Sequence, residues 1–228
     1  KKKIIDKDVR WINNLNDIKK GPVIFFGNEF FDAIPIKQFK KVKNSFFEKN
    51  YVLDKNFKIK QVFKKASVSN VKAIKSFKTL KKLKFIEFPK LGFQELRKII
   101  KKILELKGCI LLIDYGYARP NNQNTLQSIM KHKKNNLLSN LGKADVTAHV
   151  NFKLLNEFFS KNNLKIKNLL SQKEFLENMG ILERAKILSK KMKFSEQSDL
   201  YLRMQRLLSP KYMGNLFKVI LAYKFDNN

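Results

Sequence analysis

Two uninterrupted apolar runs constrain this chain more than anything else in it: PVIFFG at 22–27 and CILLID at 109–114. Neither alternates polar with apolar residues, so each predicts a strand buried on both faces within a parallel sheet. A strand that hides four or five large side chains, at roughly 1.5–3 kcal/mol each, belongs at the centre of a fold. The second run has a helix in front of it. After Pro89, FQELRKIIKKILELKG places Leu96, Ile99, Ile100, Ile103, Leu104 and Leu106 largely on one helical face, and Gly108 follows as the stop. Helix, glycine and buried strand form the αβ step of a doubly wound α/β fold.

The remaining segments have other textures. Residues 45–63, SFFEKNYVLDKNFKIKQVF, alternate around the turn signal LDKNF and predict a β-hairpin outside the parallel core. Residues 68–83 are Lys-rich and weakly periodic, as in a surface helix, and FIEFP at 85–89 is a short strand or extended entry. Beyond Gly116, ARPNNQN is a loop, and TLQSIM and KADVTAHVNF predict two strands joined by a polar excursion. Helices are expected over 152–162, 172–178, 181–192 and 195–208, then a turn at SPKYMGN and a closing strand over 216–223. One domain accounts for all of this, with 44–84 as a hairpin and helix insertion and 118–215 as its substrate side.

Composition narrows the class. With 43% apolar residues and 20 Phe the chain is not disordered, although 30% of it is charged. The net charge of +30 points toward nucleic acid, but Arg occurs only at 10, 97, 119, 184, 203 and 206. Base readout and bidentate phosphate clamping favour guanidinium. Lysines spread over the whole length beside abundant Asn, Ile and Phe fit drift toward AT-rich codons better than a binding face. Cys109, the one cysteine, sits in an apolar run and excludes both a disulfide framework and a cysteine metal knuckle. No run approaches the ~20 apolar residues of a membrane span, and KKKIIDKDVRWI lacks the apolar core of a signal peptide. A chain that opens on Lys rather than Met is expected to be part of a longer protein.

Ligands of an open α/β sheet bind at the carboxyl ends of its parallel strands. Both apolar runs end in polar sequence there: Asn28, Glu29, Phe30, Phe31 and Asp32 after the first, and Asp114, Tyr115, Gly116 and Tyr117 at the end of the second. Two acidic tips that meet in one crevice can orient a cationic substrate or take a proton. The plainer alternatives are a helix N-cap for the first, a glycine turn with positive φ for the second, and core packing for the phenylalanines. Asp145, Thr147, His149 and Asn151 alternate, so in one strand they would share a face. His132, within KHKKNN, is a surface residue by the same logic. No HxxxH, CxxC or GxSxG pattern occurs, and no two glycines form the G-x-G that lets backbone approach a dinucleotide or similar cofactor.

Taken together, these motifs resemble the MidA family of S-adenosylmethionine-dependent methyltransferases, which includes the mitochondrial complex I assembly factor that methylates arginine. GPVIFFGNEFFDAIPIKQF is similar to the family's NEFFDALP segment, and CILLIDYGY to its DYG strand end. TLQSIMKHKKNNLLSNLGKADVTAHVNFKLL, QKEFLENMGILERAKIL and LLSPKYMGNLFKVI resemble its later blocks in the same order, from about residue 10 to 223. The resemblance implies a Rossmann-like, seven-stranded class I methyltransferase sheet whose Gly-rich cofactor loop lies upstream of Lys1, which explains the missing G-x-G. It also implies an open sheet edge with uncovered apolar surface. S-adenosyl-L-methionine would be the cofactor, with Asn28 and Glu29 near its methionine end. Asn28, Glu29 and Asp32 would be catalytic, the two acids paired with an acceptor guanidinium. Phe30, Phe31, Asp114, Tyr115 and Tyr117 would wall the acceptor pocket, and Asp145, Thr147 and His149 its far side. The implied partner is a protein, a complex I subunit in the mitochondrial relative, with neither a membrane nor a specific nucleic acid. The implied location is the cytoplasm of a bacterium or the mitochondrial matrix of a eukaryote. A nucleic-acid methyltransferase and a non-catalytic assembly module are the alternatives that composition leaves open.

Overall fold

A computed structural model describes residues 9–224. In chain order the strands and helices are β1 (Val23–Asn28), β2 (Lys37–Val42), β3 (Ser45–Leu53), β4 (Ile59–Lys65), α1 (Val68–Lys75), β5 (Phe85–Phe88), α2 (Lys90–Leu106) and β6 (Gly108–Tyr117). There follow β7 (Gln127–Met130), β8 (Lys133–Asn135), β9 (Asp145–Thr147), β10 (Val150–Asn151), α3 (Phe152–Lys161), β11 (Lys165–Ile166) and β12 (Leu170–Ser171). The last elements are α4 (Gln172–Asn178), α5 (Ile181–Ser189), α6 (Phe194–Leu208), α7 (Met213–Leu216) and β13 (Phe217–Tyr223).

The two apolar runs pair in parallel as β1 and β6, from Val23 opposite Gly108 to Asn28 opposite Ile113. The main sheet runs β1-β6-β13-β11, with β13 antiparallel to β6 and β11 antiparallel to β13, so β11 again points along β6. Only β6 meets the expectation of a central strand. Among the described residues β1 lies at the sheet edge and alternates in burial, leaving Ile24 76% and Phe26 64% exposed while Val23 and Phe25 face the core. An edge strand with one covered face cannot be buried on both, and the uncovered apolar surface is the one the family resemblance implies.

Beneath the sheet pack α2 and α3. The helix α2 starts directly behind Pro89, whose missing N–H costs nothing at a helix entry. It buries Phe93, Leu96, Ile100 and Ile103, and the Phe93 ring stacks on Phe158 of α3 with centroids 4.1 Å apart. Gly108 is the close-approach point of the parallel pair, since a Cβ there would lie 1.9 Å from the Val23 carbonyl oxygen.

The expected hairpin is present as β3 and β4, but β2 and β5 extend it to a four-stranded antiparallel sheet, β4-β3-β2-β5. The segment behind it is less superficial than its lysines suggested: Ile74 of α1 and the following Phe77, Leu80 and Leu83 are buried in the core. TLQSIM pairs with the start of KADVTAHVNF as β7 and β9, and β8 adds a third strand. KADVTAHVNF itself is not one strand. It breaks after Thr147, and its second half, β10, pairs with the tip of β6 instead. SPKYMGN ends in the helical turn α7 rather than a simple turn.

Candidate active site

The register of β1 and β6 brings the two polar tips side by side. Asn28 faces Ile113 across the pair, and the Glu29 N–H donates back to the Ile113 carbonyl at 3.0 Å. Glu29 adopts φ 49°, which turns the chain sharply off the strand. No helix follows, so the helix-cap reading of NEFFD fails. Asn28 and Glu29 are exposed and Phe30 is 43% exposed, whereas Phe31 and Asp32 fold inward. Phe31 belongs to the core beside Phe93, with ring centroids 6.3 Å apart, and together with Tyr117 and His149 it lines a small cavity.

Asp114 holds this loop in place. Its Oδ2 accepts the N–H groups of Phe31 at 2.8 Å and Asp32 at 3.1 Å, and its Oδ1 accepts the N–H of Tyr115 at 2.9 Å. The side chain is 1% exposed and turned under the loop, away from solvent. The Tyr115 hydroxyl donates to Asp32 Oδ2, and the Ala148 N–H donates to the Asp32 carbonyl at 3.0 Å. Asp32 Oδ1 is buried with no hydrogen-bond partner among the described residues. Burial, with the nearby Asp32 charge adding to it, pushes the Asp114 carboxyl up to about 6 against the three amide donors. Burial, reinforced by the hydrogen bond to Asp32, drives the Tyr115 phenol upward and keeps it protonated.

The second wall comes from the end of β9, the link to β10 and β10 itself. His149 meets the Tyr115 ring edge-on at 5.4 Å, and burial lowers its pKa, which keeps the imidazole neutral near pH 7. Thr147 lies close enough to act on the Tyr115 hydroxyl, and Asn151 on that of Tyr117. Burial and the Glu87 charge push the Tyr117 phenol up to about 12. Gly116 is not a turn glycine: it sits within β6, and a Cβ there would fall 2.1 Å from the Val150 carbonyl oxygen. Its role is to let β10 approach. Asp145 stays apart from this group, exposed at the start of β9. Its expected shared face with His149 disappears with the break in the strand.

A second polar cluster adjoins the first. Glu87, 8% exposed on β5, accepts from Gln38 Nε2 at 2.8 Å, from the N–H groups of Thr125 at 3.0 Å and Leu126 at 3.3 Å, and from the Thr125 hydroxyl. The His149 N–H donates to Thr125 Oγ1 at 3.0 Å, which joins the two clusters through backbone. Sequence reasoning passed over Glu87 and Gln38. A lone acid inside the apolar FIEF was the available signal.

Several known proteins are similar to this chain. The zebrafish (Danio rerio) mitochondrial protein arginine methyltransferase NDUFAF7 is 26% identical over 92% of this chain and 49% of its own length. The human protein of that name is 27% identical over 92% of this chain and 47% of its own, and a Caenorhabditis elegans homologue 29% identical over 92% and 50%. The chain thus spans about half the length of the curated relatives it matches. A crystal structure from Burkholderia thailandensis superposes with a TM-score of 0.78 at 23% identity, covering 94% of this chain and 58% of that one. A second from the same organism, bound to S-adenosyl-homocysteine, gives 0.76 at 23% identity with 94% and 56% covered. These likenesses establish the α/β fold of class I methyltransferases. Residues 1–170 match the family model of S-adenosyl-L-methionine-dependent methyltransferases, and the chain belongs to that family.

Proposed function

We propose that this chain supplies the acceptor side of a methyltransferase that uses S-adenosyl-L-methionine to methylate arginine in a protein. The carrying observation is the exposed Asn28–Glu29 tip, held on a loop that Asp114 clamps from below with two amide hydrogen bonds. The Asn28 amide, unburied at the carboxyl end of a parallel strand pair, fits the amino-acid end of the cofactor, and the Glu29 carboxylate beside it is left to face the acceptor. When bound, S-adenosyl-L-methionine supplies the methyl group.

The chain's own residues handle the acceptor. A guanidinium is protonated at neutral pH and has no free lone pair to attack with. Glu29 accepts hydrogen bonds from the guanidinium, orients it, and takes the proton that leaves as the nitrogen becomes nucleophilic. Phe30 flanks the guanidinium plane from the exposed side of the loop. Asp32 acts through Tyr115: its Oδ2 holds the phenol, and the phenol ring presses on His149. By the same family likeness the acceptor is a subunit of respiratory complex I, and the location is the mitochondrial matrix for a eukaryotic source and the cytoplasm for a bacterial one.

The test is Glu29→Gln in the whole protein. Transfer of labelled methyl to protein falls by about 100-fold or more, in line with loss of a positioned base, while calorimetric affinity for S-adenosyl-homocysteine stays near wild type. Undiminished methyl transfer by the variant would sink the assignment.

A further inference from the structure

A groove of about 660 Å³ lies between the β3–β4 hairpin and the segment from Gln123 to Leu138, with His149 also on its lining. We propose that this groove binds an extended, acidic stretch of polypeptide flanking the methylated side chain, and so selects the protein acceptor. The proposal rests on the methyltransferase reading above and adds to it the surface that chooses the substrate.

Three observations carry it. The first is adjacency: His149 is part of the groove's lining and packs on Tyr115, which is bonded to Asp32 in the candidate site. The second is the chemistry of the walls. Gln61, Gln123, Gln127 and Asn136 line it, and primary amides offer both donors and acceptors to the N–H and C=O groups of an extended backbone, while Asn124 and Asn135 are held by internal hydrogen bonds. Lys49, lying 5.2 Å from the centroid of the Tyr51 ring, and Lys134 stand on opposite walls, and among the described residues neither is ion-paired. Those two cations fit acidic side chains on the bound segment.

The third observation is that the floor is built and held. Asn124 Oδ1 accepts from Gln38 Nε2 at 2.7 Å, and Thr125 and Leu126 donate their N–H groups to Glu87. Gln38 is 4% and Glu87 8% exposed, so two buried side chains fix a stretch that would otherwise be a loose loop. Preorganised backbone of this kind lowers the ordering cost of binding. It also explains why a carboxylate sits in β5 with neutral donors as its only hydrogen-bond partners among the described residues.

The experiment uses the whole protein loaded with S-adenosyl-homocysteine and two labelled peptides of equal length, each with one central arginine, flanked by glutamates in one and by lysines in the other. Fluorescence anisotropy should show the glutamate peptide bound about tenfold more tightly, and the double variant Lys49→Glu, Lys134→Glu should lose or invert that preference. Equal binding of the two peptides, absence of binding, or a preference unchanged in the double variant overturns the proposal. So does displacement of the peptide by a tighter-binding single-stranded oligonucleotide, which would give the groove to nucleic acid. Cofactor affinity, measured separately, keeps the two ideas apart. A protein that binds no S-adenosyl-homocysteine yet retains the peptide preference refutes the methyltransferase reading and leaves the groove standing.

Discussion

The two buried carboxylate clusters invite comparison because they lie next to each other and differ in completeness. Around Glu87 every acceptor oxygen has a donor, from Gln38, Thr125 and Leu126. Around Asp114 and Asp32 two acids share a buried space, and one oxygen, Asp32 Oδ1, has no hydrogen-bond partner among the described residues. A satisfied buried carboxylate fixes structure, whereas an unsatisfied pair holds electrostatic energy in reserve, as functional sites commonly do. The first cluster is complete as architecture, and the second, which also clamps a loop, is the one that the proposed chemistry would draw on.

Mutations separate them in order of effect. Asp114→Ala leaves three buried N–H groups without an acceptor and should cost about 3 kcal/mol or more, read from urea unfolding of the whole protein. A loss below about 1 kcal/mol would mean that the NEFFD loop does not depend on this clamp. Glu87→Ala should cost about 2 kcal/mol and loosen residues 124–126, visible as faster amide exchange at Thr125 and Leu126, with the amides of Phe31 and Asp32 unaffected. If both sets of amides accelerate together, the two clusters form one unit and the distinction between them fails.

The smallest effect concerns pH. The Asp114 carboxyl is held at about 6 against an ordinary 3.8, so between those values the folded protein keeps a proton that the unfolded chain has released. That contribution to stability is complete below 3.8 and is lost as pH rises through 6. Asp32→Asn removes the neighbouring charge, and the downward slope of stability across this window should become shallower, by a fraction of a kcal/mol. An unchanged slope would show that burial alone raises the carboxyl.

Much of this was legible beforehand, and the reasons differ from part to part. The apolar runs and the facing of Leu96, Ile100 and Ile103 marked β6, α2 and the parallel step because burial and helical periodicity are local signals. The meeting of the NEFFD and DYGY tips followed from strand order. What could not be read was direction. Nothing local tells whether Asp114 points into a crevice or back under a loop whose amides lie more than 80 residues away. Nor does alternation from Asp145 to Asn151 disclose that the strand breaks at Ala148 to serve two different sheets. Burial of Ile74, Phe77 and Leu80 was masked by the lysines around them, which point outward from the same short helices.

The glycine of DYGY has one more consequence. With the Val150 oxygen 2.1 Å from where its Cβ would stand, the position is closed to every other residue unless β10 retreats. A retreat would draw His149 from Tyr115 and Asn151 from Tyr117 in the same movement. Two side-chain contacts to tyrosines at the end of β6 thus depend on one codon, which can be kept or lost together with them but not varied alone.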